Sequence, residues 1–220
     1  MERRRPQHCA MAHDKDQVVA IPAPMRAKPG GRPFTSPDWI FEIKYDGYRC
    51  MARIDQGHVE LRTKNHADCT AWYPEVAQLL ASVPGGPHVL DGEAAILDEI
   101  GRSDFERLHA RSRRRRWIAD EPVTYCAFDL LFHNGENIMD LPLMERKARL
   151  ARLLRPLRGK LVIVGEFPAR AQLFKELVLG ANLEGFVAKA KRSRYQPGIV
   201  SPDWVKLKPK GVALLRRFKR

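Results

Sequence analysis

Long apolar runs are absent from this sequence, and no segment approaches the roughly eighteen uninterrupted apolar residues that a membrane-spanning helix requires. The N-terminal segment carries arginines but continues into polar residues, so it lacks the apolar core of a secretory signal. These absences argue against a membrane role. We therefore expect a cytoplasmic protein with no membrane partner.

Cysteine is scarce, and its spacing excludes two common uses of this residue. The four cysteines are far apart and form no CxxC pair: Cys9, Cys50, Cys69 and Cys126. A zinc ribbon needs closely spaced thiolates, and a disulfide framework is typical of short secreted chains. We therefore expect reduced thiols. The sequence also has no internal repeat.

Acidic residues are outnumbered, since 26 Asp and Glu face 39 Lys and Arg, which gives a formal net charge of +13. Such an excess of positive charge favours a polyanionic partner, and nucleic acid is the natural one. Basic runs at 111–116 and 214–220 are suited to neutralising DNA phosphates without reading sequence. A plain charged helix face accounts for these two runs equally well.

The apolar pattern predicts short strands that alternate with helices, after a first stretch, 1–24, that has no periodicity and that we expect to be disordered or loosely attached. Strands are predicted at 39–44, 49–54, 59–63, 88–90, 94–97, 123–132, 161–164, 185–188 and 204–207. Helices are predicted at 73–83, 104–115, 143–154 and 171–179, the second of them with Ser103 as its N-cap.

Residues 44–49 read KYDGYR, which fits the pattern KxDGxR. The pattern places Lys44 at a strand end, a turn-forming glycine after it, and Arg49 on the returning strand. A lysine amine attacks phosphorus only when it is deprotonated, and neighbouring cations and partial burial favour that form. An ordinary turn with a surface lysine and arginine would produce a similar hexapeptide, so the motif does not suffice by itself.

Five further segments follow in the order and approximate spacing of the covalent nucleotidyltransferase superfamily. They are LRTKN at 61–65, LDGE at 90–93, AFDLLF at 127–132, EGFVAK at 184–189 and WVKLK at 204–208. Three more segments, FERL at 105–108, PLMERK at 142–147 and YQPG at 195–198, resemble those of ATP-dependent DNA ligases, in particular the ligase domain of bacterial ligase D. The resemblance covers roughly residues 24–208.

The resemblance implies an α+β chain with an ATP-grasp-like nucleotidyltransferase fold, in which two mostly antiparallel sheets pack together with flanking helices. It implies one adenylation domain at 25–208, between an N-terminal extension, 1–24, and a basic tail, 209–220. ATP and Mg²⁺ (or Mn²⁺) are the implied cofactors. Nicked double-stranded DNA is the implied partner, DNA repair the implied setting, and a bacterial cytoplasm, in association with the nucleoid, the implied location.

The resemblance also assigns roles to individual residues. Lys44 is the implied nucleophile, which becomes covalently linked to AMP, and Glu42 is implied to help select adenine. The implied nucleotide-binding residues are Glu42, Arg49, Lys64, Glu93, Phe128, Lys189, Lys206 and Lys208. Glu93 and Glu184 are the implied metal ligands, since carboxylates on separate strands can converge on Mg²⁺. Phe128 is implied to stack on the purine, although composition alone favours a core position for it.

Two departures from the family pattern affect what we expect. Residues 63–66 read TKNH where the family usually has Ser-Arg-x-Gly, so the point charge of Lys64 replaces a bidentate arginine. The sequence ends at Arg220, twelve residues after Lys208, which is too short for an OB-fold domain. We therefore expect a monomer without that domain, for which a separate OB-fold or repair protein is a candidate partner.

Two alternative functions stay open at this point. The first is another enzyme of the same superfamily, an RNA ligase or a GTP-using capping enzyme, which a nucleotide-preference assay would distinguish. The second is a DNA-binding module that keeps the fold and charge but does not seal nicks. The presence of every motif residue named above argues against the second alternative.

Overall fold

Short alternating apolar segments form two β-sheets in the computed structural model, which describes residues 19–114 and 121–209. The strands are β1 (Arg26–Gly31), β2 (Ser36–Ile43), β3 (Tyr48–Asp55), β4 (His58–Thr63), β5 (His88–Ala95), β6 (Thr124–His133), β7 (Glu136–Asn137), β8 (Val162–Ile163), β9 (Glu166–Ala169), β10 (Phe186–Ala190) and β11 (Val200–Leu207). The helices are α1 (Pro74–Leu80), α2 (Phe105–Arg114), α3 (Leu143–Leu153) and α4 (Ala171–Leu173), and α4 continues into a π-helical segment, Phe174–Leu179.

The first sheet has the strand order β1-β11-β10-β2-β9, and the second has the order β4-β3-β5-β6-β7 with β8 paired to β6. Neighbouring strands are antiparallel except for β1 with β11 and β6 with β8. The prediction of an α+β chain with two mostly antiparallel sheets and flanking helices is therefore confirmed. In the described part of the chain, no helix is long and apolar enough to cross a membrane.

Four apolar clusters hold the layers together, the smallest of them around Ala95, Cys126 and Val164. The largest lies between the second sheet and the helices α1, α2 and α3, and it contains Ile54, Leu80 and Leu150. A smaller cluster between the two sheets includes Met51 and Trp204. The third, on the outer face of the first sheet, is covered by the helical segment that begins at α4. Because strand side chains alternate, each sheet uses one face for an outer core and turns the other toward its partner.

Two aspartates occupy the space between the sheets, where they are fully buried. Asp91 on β5 and Asp129 on β6 are cross-strand partners, and both side chains are 0% exposed. Arg49 on β3 pairs with Asp91, and Arg146 on α3 pairs with Asp129 through two hydrogen bonds of 2.8 and 2.9 Å. Buried like charges of this kind are tolerated only when each has its own counter-ion.

Helix α2 forms as predicted, but its N-terminal cap differs from the prediction. The Asp104 carboxylate accepts a hydrogen bond from the backbone N–H of Arg107 at 3.0 Å, which is the bond that an N-cap side chain makes. The Ser103 hydroxyl instead accepts a hydrogen bond from the backbone N–H of Asp46 at 2.8 Å. Ser103 is therefore not the cap, because its oxygen fixes the turn that follows Lys44.

Two further expectations are corrected by packing. Residues 19–24 are packed rather than loosely attached, since Val19 and Ile21 lie against the cluster between the sheets. Arg111, in the first basic run, is 2% exposed and forms an ion pair with Glu75 at 2.6 Å, so it is not available to DNA. The other parts of these predictions fall on residues 1–18, 115–116 and 214–220, which lie outside the described residues.

The Asp129–Arg146 pair supplies a test of the buried charges. Arg146→Met leaves a buried carboxylate without its counter-ion and should lower the free energy of unfolding by about 3–5 kcal/mol. The double variant Asp129→Asn, Arg146→Met should recover most of that loss, because no unpaired charge remains. Urea denaturation of the single and double variants measures both values. A double variant that is no more stable than Arg146→Met would contradict this account.

Candidate active site

A cleft of about 900 Å³ lies between the two sheets. Eight of the ten predicted site residues line it: Glu42, Lys44, Arg49, Lys64, Glu93, Phe128, Lys189 and Lys206. The other two, Glu184 and Lys208, do not line the cleft but form an ion-paired group with Lys44. The structure therefore brings all ten residues to one region, although they come from distant parts of the sequence.

Lys44 directly follows β2, and its backbone N–H donates a hydrogen bond to the carbonyl of Gly185 at 3.0 Å. Its ammonium forms an ion pair with one carboxylate oxygen of Glu184. The other oxygen of Glu184 lies 2.7 Å from the ammonium of Lys208. One carboxylate is therefore shared between two lysines, and the amine of Lys44 is held at the wall of the cleft.

The glycine of the KxDGxR motif is required for a reason that differs from the predicted one. Gly47 is not in a left-handed conformation, so the turn itself would accept another residue. A Cβ atom at Gly47 would lie 2.2 Å from the backbone oxygen of Ala94 on β5. Only glycine fits here, because the chain after Lys44 passes directly against the next strand.

Glu42, two residues before Lys44, lies between two buried lysines. One of its carboxylate oxygens is 2.7 Å from the ammonium of Lys147, and the other is 2.6 Å from that of Lys189. Burial opposes the charged form of Lys147 most strongly, but the charge and hydrogen bond of Glu42, together with the charges of Glu166 and Asp129, outweigh it and raise the pKa of Lys147. For Lys189, burial outweighs the same carboxylate and lowers its pKa. Lys189 is therefore the more readily deprotonated of the two cations.

Phe128 and Asp129 both face the space between the sheets because the pairing of β5 with β6 is irregular here. Asp91 pairs with Asp129 and Gly92 with Ala127, so Phe128 has no residue opposite to it. An extra residue of this kind is a β-bulge, which lets two successive side chains lie on one face of the sheet. The Phe128 ring lies 4.6 Å from the guanidinium carbon of Arg49 and 4.5 Å from the ammonium of Lys189.

Glu93 is the least neutralised carboxylate of the cleft. Within residues 19–114 and 121–209, its side chain makes no hydrogen bond or ion pair, although it pairs through its backbone with Arg49. Burial raises the pKa of Glu93 to about 7, and the charges of Arg49 and Lys44 only partly oppose this effect. Glu93 therefore changes its charge near neutral pH.

Lys206 completes the cationic wall. Burial lowers the pKa of Lys206, and the neighbouring charges of Lys44, Lys208 and Arg49 lower it further. Among the described residues, no group of three or more His, Cys, Asp or Glu side chains is arranged to hold a metal ion. A metal in this cleft would therefore need ligands from a bound substrate as well as from the two predicted carboxylates.

Sequence reasoning missed several residues that matter for this site. Lys147 was missed although it stands in the PLMERK segment, where two adjacent basic residues on an amphipathic helix are both buried against the sheets. Arg26 and Trp72 line the cleft, but no motif marks either of them. Asp91 lies within the LDGE segment, but its burial and its ion pair with Arg49 arise only when β5 packs against β3. The sequence of one strand does not reveal such a partner.

Comparison with known proteins agrees with this geometry. Residues 24–208 match the model of the ATP dependent DNA ligase domain family. The chain is 40% identical over 176 residues to the multifunctional non-homologous end joining protein LigD of Pseudomonas aeruginosa, which covers 78% of this chain and 20% of that protein. It is 34% identical over 196 residues to LigD of Mycolicibacterium smegmatis, which covers 87% of this chain and 25% of that protein. The chain thus spans a quarter or less of the length of these relatives.

A solved structure of mycobacterial DNA ligase D, complexed with ATP and MES, has the same fold as this chain. The TM-score is 0.75 at 32% identity, over 85% of this chain and 60% of that one. The two packed sheets described above therefore form a nucleotidyltransferase-type ligase fold.

The raised pKa of Glu93 predicts a pH-dependent contribution to stability. The folded protein keeps this proton up to about pH 7, whereas the unfolded chain releases it near the ordinary value of 4.5. The folded state therefore binds more protons in this window, and its free energy of unfolding falls as the pH rises. The free energy of unfolding of Glu93→Gln, measured relative to the wild type, should therefore rise by about 2 kcal/mol between pH 4.5 and pH 8. This is less than the full linkage value because the carboxylate reaches solvent.

Urea denaturation at several pH values measures this difference. Glu136→Gln, which changes a carboxylate that is 60% exposed and far less buried, serves as the control and should show no such trend. A constant difference between Glu93→Gln and the wild type across the window would contradict the prediction.

Proposed function

Because this chain belongs to the family of ATP-dependent DNA ligases, we propose that it transfers AMP from ATP to Lys44 and then to the 5′-phosphate of nicked double-stranded DNA. The observation that carries the proposal is the position of the Lys44 amine, at the wall of a cleft lined by cations and next to a carboxylate. In the first step, the Lys44 nitrogen bonds to the α-phosphorus as the bond to pyrophosphate breaks, and the amine gives up a proton. Glu184 is the carboxylate in contact with that amine.

In the second step, an oxygen of the DNA 5′-phosphate attacks the phosphorus of the lysyl-AMP. The P–N bond breaks, AMP is joined to the DNA through a pyrophosphate linkage, and Lys44 regains its amine. A neighbouring 3′-hydroxyl then attacks the 5′-phosphate and releases AMP, which closes the nick. Fixed cations that face the phosphates stabilise the charge that develops in each displacement.

We assign the adenine to the inner end of the cleft, near Glu42, Lys189 and Phe128. The Glu42 carboxylate has lone pairs beyond those facing its two lysines, so it is able to accept from the amino group of adenine. Phe128 offers an aromatic face in contact with two cations, and a purine stacked there would lie beside them. Arg49 and Glu93, which face each other across β3 and β5, are assigned to the nucleotide sugar.

We assign the phosphates to Lys44, Lys206 and Lys208, with Lys64 as a further contact. The lowered pKa of Lys206 reflects burial and the crowding of these positive charges, and an added polyphosphate would relieve that repulsion. The Lys64 ammonium has no ion pair within the described ranges and is free to bind a phosphate.

We propose Glu93 and Glu184 as ligands of Mg²⁺ or Mn²⁺, which would supply positive charge to the phosphates of ATP. Glu93 fits this role because its carboxylate faces the cleft and has no protein partner in the described ranges. Glu184 fits it less directly, since both of its oxygens contact lysines. Metal binding at Glu184 therefore requires at least one of those ion pairs to open.

We also propose that residues 25–208 form one adenylation domain that acts as a monomer in the bacterial cytoplasm, at the nucleoid, in DNA repair. The similarity to LigD proteins of non-homologous end joining supports the setting. Those relatives are several times longer, which supports a further OB-fold module or repair protein as a partner in gripping DNA. The same similarity disfavours an RNA ligase or a capping enzyme.

The role of Lys44 is tested with labelled ATP. Label from α-labelled ATP, but not from γ-labelled ATP, should become attached to the protein and map to Lys44, because the α-phosphate is retained in the phosphoramidate. Lys44→Ala should abolish the label. Lys28→Ala changes an exposed lysine outside the cleft and serves as the control, which should label like the wild type. Label that persists in Lys44→Ala would show that another residue is the nucleophile.

The metal assignment is tested by titration with Mg²⁺. Glu93→Gln and Glu184→Gln should each lower the rate of AMP transfer by more than about tenfold at limiting Mg²⁺, because one compensating charge is lost from the phosphate site. The loss should shrink as Mg²⁺ is raised, and Glu136→Gln should behave like the wild type. Single-turnover formation of lysyl-AMP measures these rates. Wild-type dependence on Mg²⁺ in both variants would make the two acids structural rather than metal-binding.

A further inference from the structure

Trp72 is a large aromatic side chain that is left exposed at the mouth of the cleft. It is 49% exposed, and it lines the cleft together with the loop after β4. The other large apolar side chains with comparable exposure in the described part of the chain are aliphatic: Ile100, Leu179, Ile199 and Val200. Trp72 also belongs to none of the four apolar clusters, so packing of the core does not account for it.

The backbone that carries Trp72 is tied to the second sheet. Trp72 is the last residue of a 3₁₀ turn, Thr70–Trp72, and its N–H donates to the carbonyl of Cys69 at 2.9 Å. Cys69 in turn donates to the carbonyl of Leu61 at 2.9 Å, and the Leu61 N–H donates to the Thr70 hydroxyl at 2.9 Å. The indole is therefore presented from a fixed backbone, so a ligand that uses it does not have to order the turn first.

Basic side chains accompany this aromatic ring on the rim. The loop 63–67 places Lys64 and His66 in the lining of the cleft, and the Thr63 hydroxyl holds the loop by accepting the N–H of Ala67 at 3.2 Å. Arg26 lies in the lining as well, and its guanidinium donates only to the carbonyl of Gly198 among the described residues. The carboxylates that line the cleft, Glu42 and Glu93, lie on the sheets rather than in these rim segments.

An exposed indole beside unpaired cations is the combination with which proteins hold nucleic-acid strands, since cations bind the phosphates and an aromatic face stacks on a base. Adenine of ATP is assigned to the inner end of the cleft, so it does not account for an exposed indole at the mouth. A protein ligand would not explain why the nearby cations are unpaired. Resting on the proposed function, we propose that Trp72 stacks on a nucleobase of the DNA strand whose phosphates pass Lys64, and so positions the nick in front of Lys44. Stacking of this kind accepts any base, because every base has a π-face.

The test uses fluorescence anisotropy with labelled nicked duplexes at one fixed salt concentration. Trp72→Ala should weaken binding about tenfold, within the range found for loss of one stacked base, whereas Trp72→Phe should retain most of the affinity. Leu179→Ala, which removes an equally exposed apolar side chain from the opposite face of the first sheet, is the matched control. Thermal melts of the three variants confirm that each is folded.

A set of duplexes, each with one abasic nucleotide near the nick, then locates the stacked base. In the wild type, one position should weaken binding about as much as Trp72→Ala does, and in Trp72→Ala the same abasic position should have no further effect. Equal affinity of wild type and Trp72→Ala, equal losses in the Ala and Phe variants, or additive losses from the abasic site and Trp72→Ala would each overturn the stacking proposal. Failure of the wild type to form lysyl-AMP, with DNA binding and these differences preserved, would overturn only the proposed catalysis.

Discussion

The arrangement of this molecule depends on two buried carboxylates that lie side by side between its sheets. Asp91 and Asp129 repel each other across β5 and β6, and each is neutralised by an arginine. Arg49 also donates to the carbonyl of Met25, and Arg146 to the carbonyl of Ser193, so both arginines reach segments that flank the first sheet. Tyr195 adds a hydrogen bond from its hydroxyl to Asp91 at 2.6 Å. The two sheets are therefore joined by charge pairs as well as by the apolar cluster that contains Met51 and Trp204.

In the cleft, each of two carboxylates contacts more than one cation. Glu42 forms ion pairs with Lys147 and Lys189. Glu184 forms ion pairs with Lys44 and Lys208, so each acid is shared by two ammonium groups. Around Glu184 such sharing leaves an excess of positive charge, whereas Glu166, 3.6 Å from the ammonium of Lys147, balances the group around Glu42. A polyanion that enters the cleft meets cations whose mutual repulsion it relieves. The proposed binding of phosphates therefore does not require a dedicated loop of glycines.

Motifs and alternation predicted most of the strands and the four helices, because those features are encoded in short stretches of sequence. The family resemblance pointed to ten residues that the structure brings to one region. β1 was missed because its residues, RAKPGG, have no strand pattern, and it is a strand only through its pairing with β11. The position of Asp129 on the same face as Phe128 was not deducible from alternation, since a bulge shifts the register at Phe128. The burial of Arg111 depends on Glu75 from another helix, and a local basic run does not reveal such a partner.

In the proposed reaction, the carboxylate of Glu184 would make the covalent state of Lys44 felt by another residue. Its ion pair with Lys44 requires a positive nitrogen, and a phosphoramidate nitrogen is uncharged. Once the amine carries AMP, Glu184 loses one of its two partners while Lys208 remains. In that reaction a single acid would distinguish the loaded from the empty enzyme, and it would do so through its second partner, Lys208. Chemistry at the Lys44 nitrogen would in this way change the electrostatic surroundings of a lysine from another strand segment.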